Sequence, residues 1–119
     1  MPPVERDAAY LWDMLDSARS ACEFTAGVRF EPYQRDRKLQ LAVERAVEII
    51  GEAARRVSEE FRRAHPEIPW HSMIAQRNVL VHEYGEIKHE RMWLLVTEHL
   101  PALIRDLEKL VPPIPPEPQ

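Results

Sequence analysis

Between Leu39 and Phe61 the residues Leu39, Val43, Ala46, Ile50, Ala53, Val57 and Phe61 recur at steps of three and four. Glu44, Arg45, Glu48, Glu52, Arg55, Arg56 and Glu59 fill the opposite side. A half-buried strand would need alternation at every second residue. This period belongs to a helix with one apolar stripe, and that stripe has to be covered by other helices. The spacing predicts a bend or break near Gly51 or Ser58 and an end before Pro66, because the residue preceding a proline resists the α region.

The same period returns on both sides. Leu11, Met14, Leu15, Ala18, Cys22 and Thr25 predict a helix over 6–26 that Gly27 stops. Residues 28–36 contain Pro32 and read as a connector. Pro66-Glu67-Ile68-Pro69 is a turn whose last proline suits the first turn of a third helix, over 70–84, stopped by Gly85. A fourth helix over 89–111 turns Trp93, Val96, Leu100, Leu103, Leu107 and Leu110 inward, and Pro101 should kink or divide it. No segment reads as a strand. The expected fold is all-α: an up-down bundle of four or five helices over 1–111, followed by a proline-rich tail, 112–119, in polyproline II or disordered form. Long apolar stripes on a short helical chain favour pairing, so a homodimer is expected.

At 119 residues and 45% apolar content the chain suits one globular domain and excludes wholesale disorder. A net charge of −4 argues against a generic polybasic nucleic-acid binder but allows a local basic site. The single cysteine, Cys22, excludes an internal disulfide and a cysteine-rich zinc site. No leader pattern opens the sequence, and no apolar run approaches the ~20 residues of a membrane span, so a cytoplasmic location is expected.

The third helix breaks the amphipathic rule at one point. Arg77 lies four residues after Met73, three after Ile74, three before Leu80 and four before Val81, in the middle of the apolar stripe. A permanent cation there is costly unless it faces a wet cleft, snorkels, or pairs with a glutamate of the long second helix. Tyr84, seven residues on, shares its face. Asn78 and His82 are four apart on a neighbouring face, where a carboxamide can orient an imidazole. At 100° per residue Arg77 and His82 point ~140° apart, so two copies of the helix across a twofold axis would bring both onto one small group more readily than one copy. Arg offers phosphoryl oxygens a planar fork, and His moves a proton near neutral pH. RNA supplies its own 2′-hydroxyl nucleophile, so this set suits cofactor-free RNA cleavage.

Arg77-Asn78-Val79-Leu80-Val81-His82-Glu83-Tyr84 resembles the R-x4-H-x-Y signature of HEPN-domain proteins, and most closely the HepT-like toxins. Ala46-Val47-Glu48-Ile49-Ile50-Gly51-Glu52-Ala53-Ala54, Pro66-Glu67-Ile68-Pro69-Trp70, Trp93 and Leu100-Pro101-Ala102-Leu103 are similar to further segments of that family, in the same order. The resemblance covers 39–111 well and 6–27 loosely. It implies a HEPN-type homodimer that cleaves RNA without a metal, with Arg77 and His82 catalytic and Asn78 orienting. It also implies a minimal nucleotidyltransferase (MNT) antitoxin as partner, which would AMPylate Tyr84. Gly85 and Lys88 depart from the family's commoner aromatic and acidic residues. One rival reading is a non-catalytic HEPN module that binds a nucleotide or serves a nucleotidyltransferase, with Arg77 holding a phosphate; another is a helical scaffold whose Arg77 is merely salt-bridged to a buried glutamate.

Weaker signals remain. His82, Glu86 and His89 have a ligand-like spacing, but Gly85 interrupts it and the order fails H-E-x-x-H, so no metal is expected. His65 and His71 read as a cap and a surface residue. Trp12, Trp70 and Trp93 read as packing groups. Arg55, Arg56, Arg62 and Arg63 form the densest basic cluster, a solvated face or else a surface for approaching RNA.

Overall fold

A computed structural model describes residues 4–82 and 88–113, with His82 as backbone only. Its helices are α1 (Glu5–Thr25), α2 (Phe30–Arg35), α3 (Arg37–Arg56), α4 (Glu59–Ala64), α5 (Trp70–His82), α6 (His89–Leu94) and α7 (Leu100–Glu108), with one π-helical turn at Leu95–His99 between the last two. No strand occurs among the described residues. The long helix α3 is central. Its stripe of Val43, Ala46, Ile50 and Ala53 is buried between α1 on one side and α5 on the other, and α7 closes over α1 with Leu100, Leu103 and Leu107. Leu11, Met14, Leu15 and Ala18 of α1 are completely enclosed. No helix among the described residues is long and apolar enough to cross a membrane.

The helix ends follow from particular side chains. Gly27 takes φ 74°, the left-handed conformation that only glycine adopts without strain, and stops α1. Asp36 caps α3 by accepting from the Leu39 N–H at 3.0 Å. The long helical pattern breaks at Ser58 and not at Gly51. Ser58 Oγ accepts from the Phe61 N–H at 3.2 Å, so it caps α4, and the Asp7 carboxylate accepts from both the Ser58 N–H (2.8 Å) and its hydroxyl (2.6 Å). A buried acid at the start of α1 thereby holds the α3–α4 corner in place.

The connector expectation needs correction, and the expected division at Pro101 is met. The 28–36 connector contains α2, where Pro32 lies in the first turn and no N–H is required. Gln40 holds the end of α2 by donating to the carbonyls of Tyr33 and Gln34, both at 2.9 Å. The fourth helix is divided just ahead of Pro101, which is the second residue of α7. A continuous α-helix would drive the proline ring into the Thr97 carbonyl. The wider turn at Leu95–His99 removes that clash. Residues 114–119 of the tail and Gly85 lie outside the described residues.

A polar cluster sits beneath this joint. Tyr33 is fully buried, stacks on Trp93 with ring centres 5.0 Å apart and meets His89 edge-on at 6.2 Å. The Tyr33 hydroxyl, Glu44 Oε2 and His89 Nδ1 are all buried without a hydrogen-bond partner among the described residues. Burial, reinforced by Glu44, pushes the Tyr33 hydroxyl up to about 12. Burial likewise raises the Glu44 carboxyl, against the opposing charges of Arg37 and His89. A raised carboxyl contributes stability below the ordinary glutamate value and loses it as pH rises through the folded value. Glu44→Gln should therefore stabilise the fold at pH 7 by about 1 kcal/mol, the scale of one unmet buried acceptor. The gain should shrink at pH 4, and thermal unfolding of both forms at the two pH values checks this.

Candidate functional site

The start of α5 is fixed by the turn before it. The Trp70 indole N–H donates to the His65 carbonyl at 2.9 Å, and its ring packs edge-on against Phe61 with centres 6.4 Å apart. The Pro69 carbonyl accepts the first helical bond, from the Met73 N–H at 3.1 Å, so Pro69 precedes the helix as its cap. His65 terminates α4 and His71 is exposed, as expected. Met73 and Leu80 are buried against α3, while Ile74, Val79 and Val81 are only partly covered. The apolar residues of α5 thus spread beyond the face that α3 occupies.

Arg77 crosses the α3–α5 seam over Gly51. A Cβ at Gly51 would overlap Arg77 Cβ and lie 2.6 Å from the Met73 carbonyl oxygen. The absent side chain lets the two helices touch, and the Arg77 stem lies across the gap. Its guanidinium emerges at the edge, where 24% of the side chain remains open to solvent. Nη2 lies 3.2 Å from Glu52 Oε2, and Nη1 donates to Asn78 Oδ1 at 3.2 Å. Nε is buried with no acceptor among the described residues. The side chain snorkels, pairs with a glutamate of α3 and reaches water, which combines the alternatives its sequence position allowed.

Glu52 is the residue that sequence reasoning passed over. Its Oε1 accepts from Arg55 Nη2 at 3.0 Å and from Arg56 Nε at 2.9 Å, while Oε2 faces Arg77. The Arg55 and Arg56 hydrogen bonds, with the charges of Arg55 and Arg77, hold the Glu52 carboxyl below the usual carboxylate range. Three guanidiniums around one carboxylate leave this edge with net positive charge on a chain of net charge −4. Arg55 and Arg56, both exposed as a solvated face requires, also belong to the Arg77 cluster through Glu52. The sequence signal was Glu52 standing beside Gly51, the one glycine within the long helix.

The structure brings Arg77 and the exposed Asn78 together. His82 is the last residue of α5, with its side chain outside the described residues. Tyr84 and Glu86, and with them the ligand-like spacing around His82, also lie outside. Trp70 is a core residue, Trp93 stacks on Tyr33, and Trp12 is partly buried.

The bundle gathers three arginines on a solvent-open helix seam, a cationic edge of the kind that attracts phosphate groups. Residues 14–110 match the family described as Ribonuclease HepT-like, and the chain belongs to this ribonuclease family, with its all-α HEPN fold. It is 42% identical over 101 residues to a protein of Thermococcus cleftensis named probable ribonuclease HepT, covering 85% of this chain and 92% of that one. Two proteins of Methanocaldococcus jannaschii named as candidate RNases are 37% identical over 100 residues (84% of this chain, 92% of the relative) and 33% identical over 109 residues (92% and 90%). No solved structure matches the chain.

Proposed function

We propose that the protein is a metal-independent endoribonuclease, the toxin of a toxin–antitoxin pair, acting through Arg77 and His82 at a cleft shared by two copies. The observation that carries this reading is the Arg77 guanidinium: open to solvent, in a net-positive cluster, and with Nε unspent. Ile74 and Val81, which share a partly covered face of α5, support a second copy packing there. The ~140° between Arg77 and His82 on one helix gives that copy a chemical purpose.

In this reading His82 takes the proton of the RNA 2′-hydroxyl as its oxygen bonds to phosphorus. The bond from phosphorus to the 5′-oxygen breaks, and the leaving oxygen is protonated by the second copy's His82. Arg77 donates to the non-bridging oxygens as charge builds on them, and Asn78 orients the site. The products are a 2′,3′-cyclic phosphate and a 5′-hydroxyl. An MNT-type antitoxin would silence the enzyme by transferring adenylate from ATP to the Tyr84 hydroxyl, placing bulk and negative charge near Arg77.

Purified protein should cut single-stranded RNA in excess chelator and leave cyclic-phosphate ends. Co-expression with a small nucleotidyltransferase should add adenylate mass that Tyr84→Phe abolishes. Cleavage only on adding Mg²⁺ would overturn the metal-free mechanism. Absence of cleavage, with nucleotide binding that needs Arg77, would favour the non-catalytic module.

A further inference from the structure

A second feature lies on the same side of the bundle, where the end of α4 meets the start of α5. The Pro66–Pro69 turn and these two helices enclose a cavity of about 510 Å³, within the range of small-ligand pockets. Pro66 and Pro69, both exposed, form an apolar wall beside the immobilised Trp70. Two arginines reach the cavity and differ in state. Arg63 is paired with Glu59, which also lines it. Arg62 has no ion-pair partner among the described residues, and its Nε is buried without an acceptor. At the mouth stand His71 and Ser72, both exposed, in a helix turn that contains no acidic residue. In that turn the Trp70 and Met73 N–H groups are bonded to the Ile68 and Pro69 carbonyls, which leaves those of His71 and Ser72.

An apolar wall beside an unspent guanidinium fits a flat ring joined to a phosphate. Trp70 lies seven residues before Arg77, so the cavity stands about 10 Å from Arg77 along one flank of α5. We infer that it seats a nucleotide of the RNA strand flanking the one that is cut, with the phosphate on Arg62 and the first turn of α5 and the base against Pro66 and Pro69. The inference rests on RNA being the substrate, as proposed above. It assigns the Arg62–Arg63 end of the basic cluster to substrate alignment and not to chemistry. It also explains how a chain of net charge −4 could hold RNA, through two local contacts and not a general field.

The test is equilibrium binding of a fluorescent oligonucleotide carrying 2′-O-methyl groups, which cannot be cleaved, read by anisotropy at several salt concentrations. Arg62→Ala and Ser72→Glu should each weaken binding roughly 5- to 10-fold, and Arg62→Ala should lower the salt slope by about one contact. Ser72→Glu guards against misfolding, because an acid in the first turn favours the helix, so its melting temperature should hold or rise. Wild-type affinity in both variants would overturn the inference. Lost affinity for free AMP with unchanged oligonucleotide binding would also overturn it, as a mononucleotide site. An Arg77→Ala chain that still needs Arg62 to bind RNA separates this site from the cleavage reading, since each can then fail alone.

Discussion

Arg77→Ala should lower RNA cleavage by roughly 10²- to 10³-fold while leaving the fold close to wild-type stability. The fold should tolerate the change because Cβ, the atom that sits over Gly51, is retained. The rate should not, because the guanidinium that lies across the seam is removed. Arg77→Lys should recover little, since one ammonium cannot serve Glu52 and a phosphate with a planar fork. Glu52→Gln should fall between, at about 10-fold: it keeps the shape but frees three arginines from their shared carboxylate, and so acts by positioning Arg77. The pH profile distinguishes positioning from chemistry. Glu52 is held below the ordinary carboxylate range, so its support for Arg77 is present above that range and lost only as pH falls through the lowered value. Between pH 5 and 8 the cluster keeps its charge, and any inflection there reports an imidazole, for which His82 is the candidate. Glu52→Gln should therefore scale the profile without moving its midpoint. A rate equal to wild type in Arg77→Ala would remove Arg77 from the reaction.

The helices were legible because burial imposes a period, and most of the stripes that the spacing picked out are the enclosed faces of α1, α3 and α7. The break at Ser58 was one of two options, and choosing between them needed Asp7, fifty-one residues away, to supply the acceptor. The helix α2 was hidden by Pro32, which usually marks a connector but is harmless in a first turn. Arg77 stood out because a cation amid apolar neighbours violates the pattern locally. Glu52 did not, because a glutamate on a polar helix face is ordinary, and its role appears only when α3 and α5 are brought into contact. The Glu44, Tyr33 and His89 cluster was silent for the same reason: three residues on three helices meet only in the folded chain.

Gly51→Ala should be the most damaging small substitution at the seam. The added methyl would overlap Arg77 Cβ and stand 2.6 Å from the Met73 carbonyl oxygen, and a backbone atom cannot swing aside as a side-chain tip can. The helices must separate. Alanine is the better helix former by about 1 kcal/mol, but overpacking of this kind costs about 1–3 kcal/mol and sometimes more. A net loss of about 1–2 kcal/mol is expected, a fall of roughly 4–8 °C in melting temperature for a domain of this size. Well below that temperature, where the chain is folded, cleavage should still drop by at least 10-fold. Displacing α5 carries Arg77 away from Glu52, and misplacement near 1 Å can cost about 10²-fold. Gly27→Ala is the matched control. It strains a left-handed residue at a cost of about 1 kcal/mol, meets nothing within 4 Å and lies far from the seam, so it should lower stability without touching the rate. If both substitutions destabilise and only Gly51→Ala slows cleavage at equal folded fraction, the close approach of α3 and α5 is what aims the guanidinium. Equal rates in the two would mean that Arg77 finds its position without that contact.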